Sequence, residues 1–204
     1  MIPMTLPFFS SPSLKTAAIG LAVLVLAACQ AQPPAPPLGD VNFNNLPPIQ
    51  LAVSRIEVVD EYTPPLRAPN VEHDMPVSPA AAANRWADQR LRAIGGPGVA
   101  RVIISDASVV ENKLPVETGI RGTFTTNQSA RFDARVHVRV EIRNDRGFTD
   151  AFAEAGAARS RTLPETASVY DKDKLFIDLV AGLMSDLNAQ LDANIASFLR
   201  TYRR

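Results

Sequence analysis

Residues 131–143 read Arg-Phe-Asp-Ala-Arg-Val-His-Val-Arg-Val-Glu-Ile-Arg, and their strict alternation decides the fold. Phe132, Ala134, Val136, Val138, Val140 and Ile142 fall on one side of an extended chain, with Asp133, Arg135, His137, Arg139 and Glu141 on the other. A side-chain period of two belongs to a strand with one face buried and one face wet. Asn144-Asp145-Arg146-Gly147 then supplies turn residues with a glycine able to take positive φ, so Phe148 to Ser160 reads as the returning partner strand. Its Ala151, Ala153, Ala155 and Ala157 are small, which lets a helix approach the sheet closely.

That helix is the last element, from Asp171 to about Tyr202. Phe176, Leu179, Val180, Leu183, Leu187, Leu191, Ile195 and Phe198 form its apolar stripe. Its length, roughly 45 Å, exceeds the roughly 33 Å of a ten-residue strand, so part of the stripe is expected to overhang the sheet. Gln190 and Asn194 interrupt the arc, which sets them at the sheet rim, open to water, or against another protein. With Phe198 and Tyr202 they form the candidate partner surface.

Upstream, Ile49 to Tyr62 alternates with a slip near Ser54-Arg55, the mark of a strand with a bulge. Pro64, Pro65, Pro69 and Pro76 make residues 63–76 a loop. Ser78-Pro79 starts a helix, with Ser as N-cap and Pro at the first helical position. Ala83, Trp86, Ala87, Leu91 and Ile94 share one arc of it, and Gly95-Gly96-Pro97-Gly98 ends it. Trp86 reads as a core anchor. Val99 to Val110 is a second strand, and Glu111 to Ala130 is either a long loop or an irregular hairpin. The order β-α-β-β-β-α predicts an α+β domain over residues 49–204, a mainly antiparallel four-stranded sheet with two helices on one face.

Before the domain, residues 29–48 carry Pro33, Pro34, Pro36, Pro37, Pro47 and Pro48, which block helix and favour an extended tether reaching up to about 50 to 60 Å. Phe43 and Leu46 either dock on the domain or belong to a plain spacer. Residues 1–28 place Lys15 before an apolar run of about 13 residues, Thr16 to Ala28, the length of a signal h-region and too short to span a bilayer. The run ends in Leu26-Ala27-Ala28-Cys29. Small residues admit the extended backbone to a signal peptidase, and the thiol is the nucleophile that accepts diacylglycerol. The motif resembles the lipobox of bacterial lipoproteins, which implies a mature chain beginning at a lipidated Cys29. Two or three acyl chains on one residue anchor stably, each buried methylene adding roughly 0.8 kcal/mol. By the sorting rule of enteric lipoproteins, Gln30 in place of Asp implies the periplasmic face of the outer membrane.

Composition narrows the function. The chain has 204 residues with 46% apolar content, enough for one domain with a real core, and 21 basic against 21 acidic side chains. This balance argues against nucleic acid as partner and gives no electrostatic reason to lie on anionic lipid. Cys29 is the only cysteine, which excludes an intrachain disulfide. His73 and His137 lack ligand spacing, and no nucleophile elbow, phosphate loop or histidine-bearing helix is present. Neither an enzyme nor a metal or other cofactor is expected. The charged strand face of Asp133, Arg135, His137, Arg139, Glu141 and Arg143 reads as solvated cross-strand ion pairs.

Taken with the lipobox and tether, three stretches carry a wider resemblance: Asn84-Arg85-Trp86, the strand Phe132 to Ile142 with its return, and the helix Leu179 to Leu199. The chain is similar to the auxiliary lipoproteins of ABC-type and Mce-type lipid transport systems. The resemblance implies a noncatalytic accessory docked on an envelope transport or assembly complex. The residues themselves leave a second class open, a periplasmic domain holding a lipid or other apolar ligand between helix and sheet. An exposed apolar surface favours the first class and a closed cavity under the helices favours the second.

Overall fold

The alternation at 131–143 is realised at the centre of a sheet. The computed structural model describes residues 37–115 and 128–204. Leu26, Ala27, Ala28 and Cys29, with much of the stretch 111–130, lie outside the described residues. Nine strands and α-helices follow in order: β1 (Ile49–Leu51), β2 (Arg55–Asp60), α1 (Pro79–Arg90), β3 (Leu91–Ala93), β4 (Val99–Asp106), β5 (Val109–Lys113), β6 (Gln128–Arg143), β7 (Thr149–Pro164) and α2 (Val169–Phe198).

β6 and β7 form the expected hairpin. Val136, Val138 and Val140 pair with Ala157, Ala155 and Ala153 and are buried. Asn144 builds the turn: its Oδ1 accepts from the backbone N–H of Arg146 at 3.0 Å and of Phe148 at 3.1 Å. Gly147 sits at φ 83°, the left-handed conformation that glycine adopts without a Cβ clash. The strand begins at Thr149, one residue after Phe148.

The other edge of β6 carries both β4 and β5, each antiparallel. The single strand expected over Val99 to Val110 is therefore broken at Ala107-Ser108, where Asp106 Oδ1 accepts from Ser108 N at 3.0 Å. β2 lies outside β4 and runs parallel to it. The sheet is thus five-stranded and mixed, where a mainly antiparallel four-stranded one was expected. The proline-rich loop and α1 together form the crossover that a parallel pair requires.

Two further expectations change. The slip near Ser54-Arg55 is a break between sheets: β1 leaves to pair in parallel with β3, while β2 joins the main sheet. For the same reason α1 stops at Arg90. Leu91–Ala93 trade helix for strand, and Ile94, expected on the apolar arc, is 47% exposed. The start of α1 is as expected, with Ser78 Oγ accepting from Ala81 N at 3.2 Å.

α2 is capped by Ser168, whose side chain and that of Asp171 bond reciprocally to backbone N–H groups. Its stripe from Phe176 to Ile195 is buried over the alanines of β7. The expected overhang is absent. β6 and β7 have 16 residues each, so they span about 53 Å, longer than the roughly 45 Å of the helix. Arg159 of β7 meets Asp186 of α2 at 2.6 Å, aligning the two.

Val41 and Phe43 are buried in the core, and Phe43 N donates to Gln89 Oε1 at 2.6 Å. Of the two readings of Phe43, docking on the domain is the one observed. The folded unit therefore begins ahead of Ile49, inside the stretch assigned to the tether.

Candidate docking face

The helices cover one face of the sheet and leave the other open. Ion pairs fill that open face, but most of them run along β6, and only Arg139–Glu154 crosses to β7. Arg139 lies 2.9 Å from Glu141, with a geometry too bent for a hydrogen bond, and 3.2 Å from Glu154, while Arg143 meets Glu141 at 3.2 Å. His137 Nδ1 is 2.8 Å from Ser105 Oγ. His73 lies elsewhere, beside Asp74. Among the described residues no group of His, Cys, Asp and Glu is placed to hold a metal ion.

Where this open face reaches β7, the sheet ends. β7 bonds only to β6, so its outer edge carries backbone amides with no strand beside them. The Glu154 carbonyl points outward and is met by Asn194 Nδ2 at 2.7 Å. By the alternation of an antiparallel strand, Phe152, Gly156 and Ala158 turn their amides the same way. The edge thus presents a row of donors and acceptors with one position already filled by a side-chain amide.

An open cleft of about 610 Å³ lies along this edge, lined by Arg139, Ala151, Phe152, Ala153, Glu154 and Phe198 among others. Phe152 is 44% and Phe198 65% exposed. The Arg139 guanidinium carbon stacks 3.7 Å from the centre of the Phe152 ring, so the ion pairs of Arg139 also hold an apolar ring at the surface.

The four expected partner residues separate here. Asn194 and Phe198 come to the β7 edge. Tyr202 stands beside it as a structural pin: half-buried, it receives Ala52 N on its carbonyl at 2.7 Å and places its hydroxyl 3.3 Å from Asp150. Burial, and then the Asp150 charge, push the Tyr202 phenol above its ordinary value. Gln190 is exposed and does not line the cleft.

The amide of α2 that reaches the core is Asn188, itself half-buried. Its Oδ1 accepts from Trp86 Nε1 at 2.9 Å and from Arg90 Nε at 3.0 Å. Arg90, only 2% exposed, pairs with Asp192 at 2.7 Å. Trp86 is a core anchor, as expected. The signal for Asn188 was its place four residues after Met184 on the buried arc.

Between helices and sheet the space is filled by large buried side chains, Trp86, Phe132, Phe176 and Leu183 among them. Phe132 and Phe176 pack edge to face at 4.8 Å. Among the described residues no helix is long and apolar enough to cross a membrane.

No family model matches the chain, and no curated protein matches it. Among solved structures it is similar to protein XCC0632 from Xanthomonas campestris, family DUF330, at 8% identity and a TM-score of 0.30, covering 76% of this chain and 91% of that one. A likeness of this strength assigns no function.

Proposed function

We propose that the chain is a lipid-anchored, noncatalytic accessory on the periplasmic face of the outer membrane, docking a protein of an envelope transport or assembly complex at the β7 edge. Cys29 carries the acyl chains, and the Phe152–Phe198 cleft receives an extended segment of the partner. One observation carries the docking half of this reading: exposed aromatic rings and outward-turned backbone amides occur together along the outer edge of β7. An extended segment is the complement that satisfies both, bonding the edge through its backbone while a side chain enters the cleft. The filled interior favours this over a ligand held beneath the helices.

Both halves are tested in the full chain. Cys29→Ala is expected to yield an unprocessed or soluble protein that no longer incorporates a palmitate analogue; continued labelling would end the lipoprotein reading. A photo-crosslinking amino acid at Phe198 is expected to trap an envelope protein, and the same group at Gln190 to trap none. The adduct should disappear with Phe152→Asp. Equal adducts from 198 and 190 would remove the β7 edge as the docking site.

A further inference from the structure

Among the described residues, Ile94 and Phe148 are exposed large apolar side chains at one end of the domain, apart from the Phe152 and Phe198 pair of the β7 edge. Hydrogen bonds join the segments that form this end. Gly98 N donates to Asp145 Oδ1 in the β6–β7 turn at 3.1 Å. Leu51 O accepts from Ile94 N at 3.0 Å, and Gln50 O from Arg204 N at 3.1 Å. Phe148, on the turn, is 68% exposed.

Charge at this end is uneven. Arg146, Arg200, Arg203 and Arg204 are exposed, and none of them forms an ion pair with another described residue. Of the acids at this end, Glu57 is paired with Arg55, and Glu141 with Arg139 and Arg143. Asp145 and Asp150 have no ion pair among the described residues and accept only from Gly98 N, from Asn144 Nδ2 at 2.7 Å and from the Tyr202 hydroxyl, so four unpaired arginines face two unpaired carboxylates. The neutral total charge of the chain, which by itself gives no electrostatic reason to lie on anionic lipid, therefore conceals an end with an excess of arginine beside exposed apolar side chains.

We propose that this end is a second membrane contact, in which Phe148 and Ile94 enter the interface while the four arginines meet anionic phospholipid headgroups. Apolar side chains ringed by arginine are the chemistry of such a surface. The inference rests on the lipid anchor at Cys29. With Val41 and Phe43 folded into the domain, about eight residues separate Cys29 from Pro37, a reach of roughly 25 Å even when fully extended. A domain more than about 40 Å long on so short a lead must keep one of its surfaces near the headgroups. The β7 edge, on the side of the domain, stays open to a partner.

The test uses Phe148→Trp in the full lipidated chain, with fully buried Trp86 as constant background, reconstituted into vesicles with brominated acyl chains. Val169→Trp, exposed at the opposite end of α2, is the control. In vesicles of phosphatidylglycerol and phosphatidylcholine, the indole introduced at position 148 is expected to be quenched several-fold more than the one introduced at position 169. The excess should fall in pure phosphatidylcholine, at high salt, and when Arg200, Arg203 and Arg204 are replaced by Gln. Equal quenching at the two positions overturns the proposal, as does a protein adduct from a crosslinker at 148 with no lipid quenching. The anchor is scored separately by the mass of the mature protein. If no acyl group is found, the Cys29 reading fails, and this end is judged by salt-dependent binding of the unanchored chain to phosphatidylglycerol vesicles; no binding there overturns it as well.

Discussion

Asn188→Ala is the most informative single substitution in the helical layer. Asn188 Oδ1 is the shared acceptor of Trp86 Nε1 and Arg90 Nε, at 2.9 and 3.0 Å, and both donors belong to side chains shut off from water. Truncation removes the acceptor and leaves each donor unpaired. A stranded buried donor costs about 1–3 kcal/mol. Arg90 keeps its bond to Asp192, so its charge is not isolated, and the two donors together predict a loss of about 2–5 kcal/mol. At roughly 2–4 °C per kcal/mol for a domain of this size, the melting temperature should fall by about 4–20 °C. Urea unfolding of the full chain carrying Cys29→Ala measures the free energy directly, with the slope against urea expected to stay constant. Gln190→Ala is the internal control, because an exposed amide should change stability by less than about 0.5 kcal/mol. A loss below about 1 kcal/mol for Asn188→Ala, or a loss equal to that of Gln190→Ala, would refute the assignment of Asn188 as the polar link between the buried Trp86 and Arg90 of α1 and the helix α2.

Two further outcomes follow from the sheet and its loop. Val138→Ala, in the fully buried centre of β6, should cost about 1–3 kcal/mol. Arg139→Ala removes a side chain that is 32% exposed and leaves Glu141 still paired with Arg143, so it should cost less than the valine truncation; the reverse order in urea unfolding would mean that the faces of β6 are exchanged. Glu72 supplies a pH signature. Burial pushes its carboxyl up, but hydrogen bonds from Tyr62, its own backbone, Val109 and Asn70 outweigh that and hold it below the ordinary glutamate value of 4.5. A carboxyl depressed in the folded state adds stability above its unfolded pKa and loses it as pH falls through the folded one. Wild type should therefore lose stability below pH 4.5 faster than Glu72→Gln does, and parallel pH curves would show that the loop over residues 63–76 is held by other contacts.

The elements that could be read from sequence are those whose pattern is local. Alternation through Val136, Val138 and Val140 identified the buried strand because a period of two has no helical counterpart. Asn144 and Gly147 identified the turn because the two residue types meet two separate needs, bonding the backbone and taking positive φ. What escaped reading depends on partners distant along the chain. Leu91 and Ile94 fit the helical arc, yet residues 91–93 are drawn into a strand by Ile49–Leu51, about forty residues earlier. The parallel pairing of β2 with β4 has no local signature either; it follows from the crossover and not from any residue in the strands. In the candidate site, Asn194 and Phe198 could be chosen because they break or end an apolar stripe. Phe152 and the stacking Arg139 stayed hidden, since one sits in a run of alanines and the other among surface charges.

The alanines of β7 connect the fold to the docking face. Ala151, Ala153, Ala155 and Ala157 let α2 settle directly over β7 at the rim of the sheet, where a bulkier row would hold the helix off or shift it toward β6. A helix in that position shields the inner face of an edge strand, yet its own backbone bonds are satisfied internally and it offers none to the edge. Only a side chain can reach around. Asn194 does so once, at the Glu154 carbonyl, and the remaining outward amides are left to water. The composition that packs the core therefore also leaves the edge open. It also sets Phe198, at the end of the same helix, beside that edge, so that an apolar contact and a row of backbone hydrogen bonds are offered together. Lengthening the small residues of the inner row should move helix and Phe198 away from the edge together, which couples the docking face to core packing.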